Sequence, residues 1–419
     1  MTMVSRGVAV GVSLAVVAGL AGCGGSASSG GSAGPRVTGN AILVGQVEDL
    51  HPGSLTARQV AADDTAFGFA LFHQLCTAAP TANLTISPAS AAQALGMLDA
   101  GSVGGTQAAV STLLRLPGWS PAVVAALHAQ TAALKTVSQV TVTNHVFEQA
   151  GLAPTKQALN DLQTAYAADL RQLDFGSEPA ATNTINSVIS HDTDGLIPSL
   201  FGQPLDPSTR TVLANAILLD AKWQQPFPTS APGPFHAASG STVTTPLMSN
   251  ENGSFASRTA DGWQSVVLPY VGDLQAVAIL PPAATAQGSA AGCATPSAST
   301  LTALTSGTAQ NVEAVLPKLT LSQTLPLTQA LGSMGLPLSG DYSGLGAGDS
   351  QISEVVQKVV MKVDQSGTKA AAATGIGVAS SARVGGQIVT FDRPFLLLLE
   401  DRTTNTPLFL ARVADPTQQ

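Results

Sequence analysis

Apolar positions in the first part of this chain recur at helical spacing. Phe67, Phe69, Ala70, Leu71, Phe72 and Leu75 share a face at i, i+3, i+4 intervals and predict a helix. Leu84-Thr85-Ile86 predicts a short strand, and Ser87-Pro88 after it predicts a second helix through Ala94, Leu95, Met97 and Leu98. A Ser side chain caps the free amides of a first turn, and Pro lacks the amide that would be orphaned there. Further helical stretches are expected at 106–115, 121–135, 155–170 and 181–193. From about residue 210 the spacing turns strand-like. Strands are predicted at 210–219, 263–270, 273–280, 311–320, 352–363, 388–391, 395–401 and 407–413. Helices first and strands later predict an α+β fold. Ala283 to Thr300 is rich in small residues and reads as a surface insertion.

One stretch fits neither period alone. Residues 362–374, Lys-Val-Asp-Gln-Ser-Gly-Thr-Lys-Ala-Ala-Ala-Ala-Thr, follow a strand-like run and precede the segment Gly375 to Gly386. Four alanines in a row are too small for an ordinary buried strand and too apolar for a solvent loop. They suit a segment that leaves solvent and slides between existing strands. At period two, Thr368, Ala370, Ala372, Thr374, Ile376 and Val378 share one face, and Lys369, Ala371, Ala373, Gly375, Gly377 and Ala379 share the other.

Composition narrows the class. The 419 residues are 44% hydrophobic and 11% charged with a net charge of −8, so nucleic acid is excluded as a partner for want of clustered Lys and Arg. At the N-terminus, Arg6, the apolar run Gly7 to Leu20 and then Leu20-Ala21-Gly22-Cys23 look like a bacterial lipoprotein signal. Residues 1–22 are expected to be removed, Cys23 to carry lipid, and the Gly/Ser/Ala-rich 23–57 to tether a domain spanning 58–419. That places the protein on the outer face of the cell membrane or outside the cell. Cys76 and Cys293 either pair or stand as independent thiols, and sequence leaves both readings open.

Catalytic motifs are scarce. The six histidines form no HExxH or close metal pair, and no phosphate-binding loop is present. Gly30-Gly31-Ser32-Ala33-Gly34 has the letters of a hydrolase elbow but no strand before it or helix after it. Gly344-Leu345-Gly346-Ala347-Gly348 joins no strand to a helix. No enzyme, metal or cofactor is implied.

The small-residue stretch with its flanks resembles the hinge and reactive-centre loop of the serpins. The likeness runs through residues 60 to 416. It is carried in order by Asn83-Leu84-Thr85-Ile86-Ser87-Pro88, Thr184-Ile185-Asn186-Ser187-Val188, Leu213-Ala214-Asn215-Ala216-Ile217 with Trp223 and Pro226-Phe227, Leu268-Pro269-Tyr270, Leu316-Pro317-Lys318, and Phe391-Asp392-Arg393-Pro394-Phe395. Some positions depart from the family pattern. Gln357 replaces a common histidine, Gln365-Ser366 a common acidic pair, and Gly375 and Gly377 fall in the inserting part of the loop.

The resemblance implies helices packed around three β-sheets, a large central sheet and an exposed loop at about 365–388. It implies a monomeric inhibitor of serine proteases that acts as a suicide substrate, with a non-inhibitory binding or structural lipoprotein as the alternative. The hinge would be Gly367, Thr368, Lys369, Ala370, Ala371, Ala372, Ala373 and Thr374, and the breach and shutter would use Trp223, Ser87, Ser90, Asn186 and Gln357. Counting forward from Gly367 puts the reactive bond at Ser381-Ala382, which suits an elastase- or subtilisin-like protease. Counting back from Phe391 puts it at Arg383-Val384, a trypsin-like choice, and the forward count is preferred because inserted length sets where the protease is caught.

Overall fold

The structure is a computed structural model that describes residues 41–51, 53–177, 179–283, 291–352, 355–368 and 386–418. In chain order these form β1 (Ile42–Leu43), α1 (Ala57–Ala78), β2 (Leu84–Ile86), α2 (Pro88–Gly101), α3 (Gly104–Leu113) and α4 (Pro121–Thr136). Then come β3 (Val140–Gln149), α5 (Lys156–Tyr166), β4 (Asp169–Leu173), α6 (Ala180–Asp192), β5 (Thr211–Leu219) and β6 (Ala221–Lys222). A run of strands follows: β7 (Thr229–His236), β8 (Thr242–Asn250), β9 (Ser254–Ala260), β10 (Trp263–Pro269) and β11 (Leu274–Leu280). After it lie α7 (Ala298–Thr305), β12 (Gln310–Pro317), β13 (Leu319–Pro326), α8 (Thr328–Ser333), β14 (Ser339–Asp341) and β15 (Asp349–Gln351). The chain closes with β16 (Val356–Val363), β17 (Gly367–Thr368), β18 (Gln387–Thr390), β19 (Phe395–Asp401) and β20 (Pro407–Val413).

Caps fix the helix starts. Thr56 and Gln59 form a reciprocal capping box at α1, and Ser87, Ser120 and Thr155 each accept an amide of the first turn of α2, α4 and α5. The expected helix to residue 170 instead stops at Tyr166, because Ala167 turns left-handed (φ 49) and sends the chain into β4. The expected strands also missed β3 and the whole of β7 to β9.

A ten-stranded sheet is built on the path β2-β20-β19-β11-β10-β9-β12-β8-β7, with β18 added beside β12. Every residue of β19 and β20 is buried, which their nearly unbroken apolar sequence dictates. The second large sheet is split into two four-stranded halves, β1-β4-β3-β5 and β13-β16-β17-β6. The chain passes from β5 through Asp220 into β6, so the halves meet at that point. Helix α2 lies under the split. On the outer side α6 buries Ile185 and Ile189 against Phe147 of β3 and Val212, Ala214 and Ala216 of β5. Each such side chain contributes about 1.5–3 kcal/mol by leaving water.

The folded part begins before residue 58. Ala41 O accepts from Gln172 N, β1 pairs with β4, and the backbone of Gln46 and Glu48 donates to Asn160 and Thr164 of α5. Gly45 lies so close to the Leu159 carbonyl that a Cβ there would stand 2.0 Å from it. Cys76 at the end of α1 and Cys293 form a disulfide, which settles their open pairing and pins the insertion before α7 to the helical layer.

Candidate functional site

The split in the second sheet is the candidate site. Among the described residues no ladder joins β5 to β16, so each presents an open strand edge to the other. At the top the split is closed by β17, two residues long. Gly367 and Thr368 pair antiparallel with Lys222 and Ala221, and Thr368 pairs antiparallel with Val363. Both flanking strands therefore run the same way, and β17 runs against both.

Aromatic packing holds β17 in place. Trp223 stacks on Tyr270 with ring centres 4.2 Å apart, and its indole N–H donates to Asp364 O at 2.9 Å. The Tyr270 and Thr368 hydroxyls share a hydrogen bond of 2.5 Å, so Thr368 faces inward and is buried. Burial drives the Tyr270 phenol far above its ordinary range, with Thr368 opposing, so it stays neutral and can donate. Trp223 N donates to Ser366 O, Phe227 N donates to Gln365 O, and Lys318 Nζ donates to Gln365 Oε1 at 2.8 Å. Gly367 has no room for a side chain: a Cβ would sit 2.0 Å from Ala221 O.

Below β17, polar side chains close the floor. Ser87 N donates to Gln357 Oε1 (3.0 Å) while Gln357 Nε2 donates to Ser87 O (2.9 Å), locking β16 to the start of α2. Ser90 N donates to Ser87 Oγ at 3.3 Å. Asn215 of β5 donates to Gln93 of α2 and to Asn144 of β3, and its own Oδ1 is buried without a partner among the described residues. A cavity of about 70 Å³ opens beneath the lower half of the split, lined by Leu213, Asn215, Leu327, Leu345, Val356 and Gln357 among others.

Outside the split, α6 and the loop after it touch both edges. Besides the α6 contacts with β5, Lys358 Nζ of β16 donates to Ser199 O at 3.0 Å and Val360 packs on the same cluster. Asn186 orders that loop, accepting from Leu200 N and Phe201 N and donating to Phe201 O.

Thus Trp223, Gly367 and Thr368 come together at the top, and Ser87, Ser90 and Gln357 come together below. Asn186 joins neither group; its place is on the outer cover. Asn215, which lines the split, was not singled out, although its position in Leu213-Ala214-Asn215-Ala216-Ile217 is the one polar break in an apolar strand. Lys369, Ala370, Ala371, Ala372, Ala373, Thr374, the candidate bonds Ser381-Ala382 and Arg383-Val384, and Cys23 lie outside the described residues.

Comparison with known proteins agrees with this architecture. A family model described as Serpin (serine protease inhibitor) matches residues 62–416. Plasminogen activator inhibitor 1 of Sus scrofa is 28% identical over 386 residues, covering 87% of this chain and 94% of the relative. Plasma serine protease inhibitor of Homo sapiens is 30% identical over 388 residues, covering 88% and 93%. A solved structure of thyroxine-binding globulin in complex with thyroxine superposes with a TM-score of 0.73 at 26% identity, covering 85% of this chain and 99% of that one. The chain belongs to the serpin family of serine protease inhibitors.

Proposed function

We propose that this protein inhibits serine-type endopeptidases as a suicide substrate, by inserting its cleaved loop between β5 and β16. The observation that carries this reading is the register of β17. Continued one residue at a time, it would set Ala370–Val378 against Leu219–Thr211, antiparallel to both open edges. Because Thr368 faces inward, Ala370, Ala372, Thr374, Ile376 and Val378 would follow it inward. Ile376 would then lie opposite Leu213 over the apolar cavity, and Thr374 opposite Asn215, whose free Oδ1 can accept its hydroxyl. Ala371, Ala373, Gly375 and Gly377 would face outward beneath α6. The two glycines weaken an isolated strand but ask the least room of the α6 cover.

In the reaction, the protease serine Oγ attacks the carbonyl carbon of the reactive residue. The peptide C–N bond breaks, the new amine leaves with the proton, and an ester joins protease to loop. The freed hinge enters the split, and some 15 residues at roughly 3.3 Å each carry the acylated protease about 50 Å. Ten or so new ladder bonds at about 1 kcal/mol net supply on the order of 10 kcal/mol, enough to distort the protease before water reaches the ester. No residue of this chain acts as a catalyst.

The reactive bond on this reading is Ser381-Ala382, presented to an elastase- or subtilisin-like enzyme, with Arg383-Val384 and a trypsin-like enzyme as the second choice. We further infer that the protein is an exported monomer held by lipid at Cys23. The Cys76–Cys293 disulfide supports export, since such bonds persist in oxidising compartments. The second reading, a non-inhibitory surface lipoprotein of the same fold, is favoured by the likeness to a thyroxine-binding globulin.

Incubation with a panel of serine proteases separates the two. Inhibition yields a covalent complex that survives SDS, and mass analysis of the released peptide names the bond. Cleavage by every protease without any such complex, and without a rise in melting temperature afterwards, would falsify the inhibitory reading.

A further inference from the structure

His145 lies on β3 between two carboxylates. Its Nδ1 is 2.6 Å from Asp169 Oδ1 on the neighbouring β4, and its Nε2 is 2.5 Å from Asp192 Oδ2 at the last residue of α6. Both contacts are hydrogen bonds only if the ring carries two protons, since a neutral imidazole has one N–H. A carboxylate at a helix C-terminus is also disfavoured by the helix dipole, so Asp192 needs a cation.

We propose that His145 is a positioning residue for loop insertion: as imidazolium it latches the end of α6 to the sheet, and on losing a proton it releases α6 and speeds entry of the loop. The inference rests on the inhibitory reading above. Its mechanical basis is that α6 and the loop after it span the outer face of the split, touching β5 through Ile185 and Ile189 and β16 through Lys358 and Val360. An entering strand must fit its outward side chains beneath that cover.

The groups facing the ring are few. From β4 come Asp169 and, at 3.0 Å from it, Arg171. Asp192 comes from α6, with His191 beside it in the chain. Lys135 of α4 and Tyr166 of α5 line the same surface cavity, and β5 presents Ala214 opposite. Burial opposes the charge on His145, but the hydrogen bonds and charges of Asp169 and Asp192 outweigh it and raise its pKa. Asp169 is correspondingly lowered, with burial opposing and the His145 and Arg171 contacts dominating. A raised imidazole pKa means the latch is whole below the ordinary histidine range and is lost as pH rises through the folded value. The Asp169 contact is fixed by the β3–β4 ladder, so the contact that opens is the one to α6.

The test uses the full chain with a fluorophore on the loop and a protease found to cleave it. Insertion rates of the natural protein, His145→Arg and Asp192→Asn are compared from about pH 6 to about pH 9.5, as ratios at each pH, which cancels the protease's own titration. His145→Arg keeps a cation at every pH and is expected to stay slow; Asp192→Asn is expected to be about tenfold faster and equally flat. The natural protein should match His145→Arg at the acid end and move to Asp192→Asn at the alkaline end. Hydrogen exchange of the α6 amides, corrected for pH, should follow the same order without any protease. Constant ratios across pH, or α6 protection that changes while insertion does not, overturn the proposal. If α6 protection behaves as expected but no variant inserts its loop at any pH, the inhibitory reading has failed and this role for the latch falls with it.

Discussion

Glu148 of β3 is fully buried, with Gln172 of β4 and Thr211 of β5 as cross-strand neighbours. The Gln172 amide is committed to Leu152 O at 2.7 Å, and neither Glu148 oxygen has a hydrogen-bond partner among the described residues. Burial pushes its pKa up to about 8. A carboxyl raised above its unfolded value stabilises the fold only while protonated, so stability falls as pH rises from the ordinary glutamate range through that value. Glu148→Gln is therefore expected to melt at least a few degrees above the natural protein at about pH 9 and level with it at about pH 5. A melting series across pH checks this. Nothing in the sequence marks Glu148, because a single acidic residue in a strand ordinarily points to solvent. Ser87, Trp223 and Thr368 were legible because each sits in a local motif whose spacing survives without the fold.

Among elements, β17 governs the top of the split through the absence of a side chain at Gly367. Gly367→Val would drive atoms into Ala221 O, break the pairing of β17 with β6, and keep the hinge out of the sheet. On the inhibitory reading proposed above, the expected outcome is cleavage by the target protease with little or no SDS-resistant complex, read directly on a gel; full retention of complex formation would contradict it. The longer strands flanking the split were legible from their spacing, and β7 to β9 were not. β7 contains Pro232, Gly233 and Pro234, which argue against a strand in the middle of a sheet. They are tolerated because β7 stands at the end of the ten-stranded path, where one edge needs no partner. β4 was hidden for another reason. Its helix ends on Ala167 in a left-handed turn, without the glycine that usually announces such an ending. The segment 41–48 reads as tether by composition, and only its ladder with β4 and its polar contacts with α5 give it a place.

For the molecule as a whole, the disulfide joins residues 217 apart in sequence and ties the helical layer to the insertion before α7. The paired Cys76→Ser and Cys293→Ser variant is expected to lose about 2–5 kcal/mol, measurable as a lowered urea midpoint that reductant no longer affects. Fold class was legible at this scale from the order of helices and strands. A gap between strands was legible too, from the small-residue stretch, but which strands make up each half was not, since that depends on pairings across the whole sheet.

The two ends of the domain are sewn to each other. Asn83 donates to Asp415 O and Gln418 O and accepts from Ala414 N and Asp415 N, while β2 lies beside β20. The Asn83 side chain thus waits for these partners until residues 414–418 have been made. Contacts of such long separation are slow to form, and Cys76 must likewise wait for Cys293. β19 and β20 fill the places between β2 and β11 in the ten-stranded sheet, so β2 gains its partner there only once β20 has been made. An interruption that stops the chain before β19 leaves β2 cut off from β11 and the rest of the ten-stranded sheet.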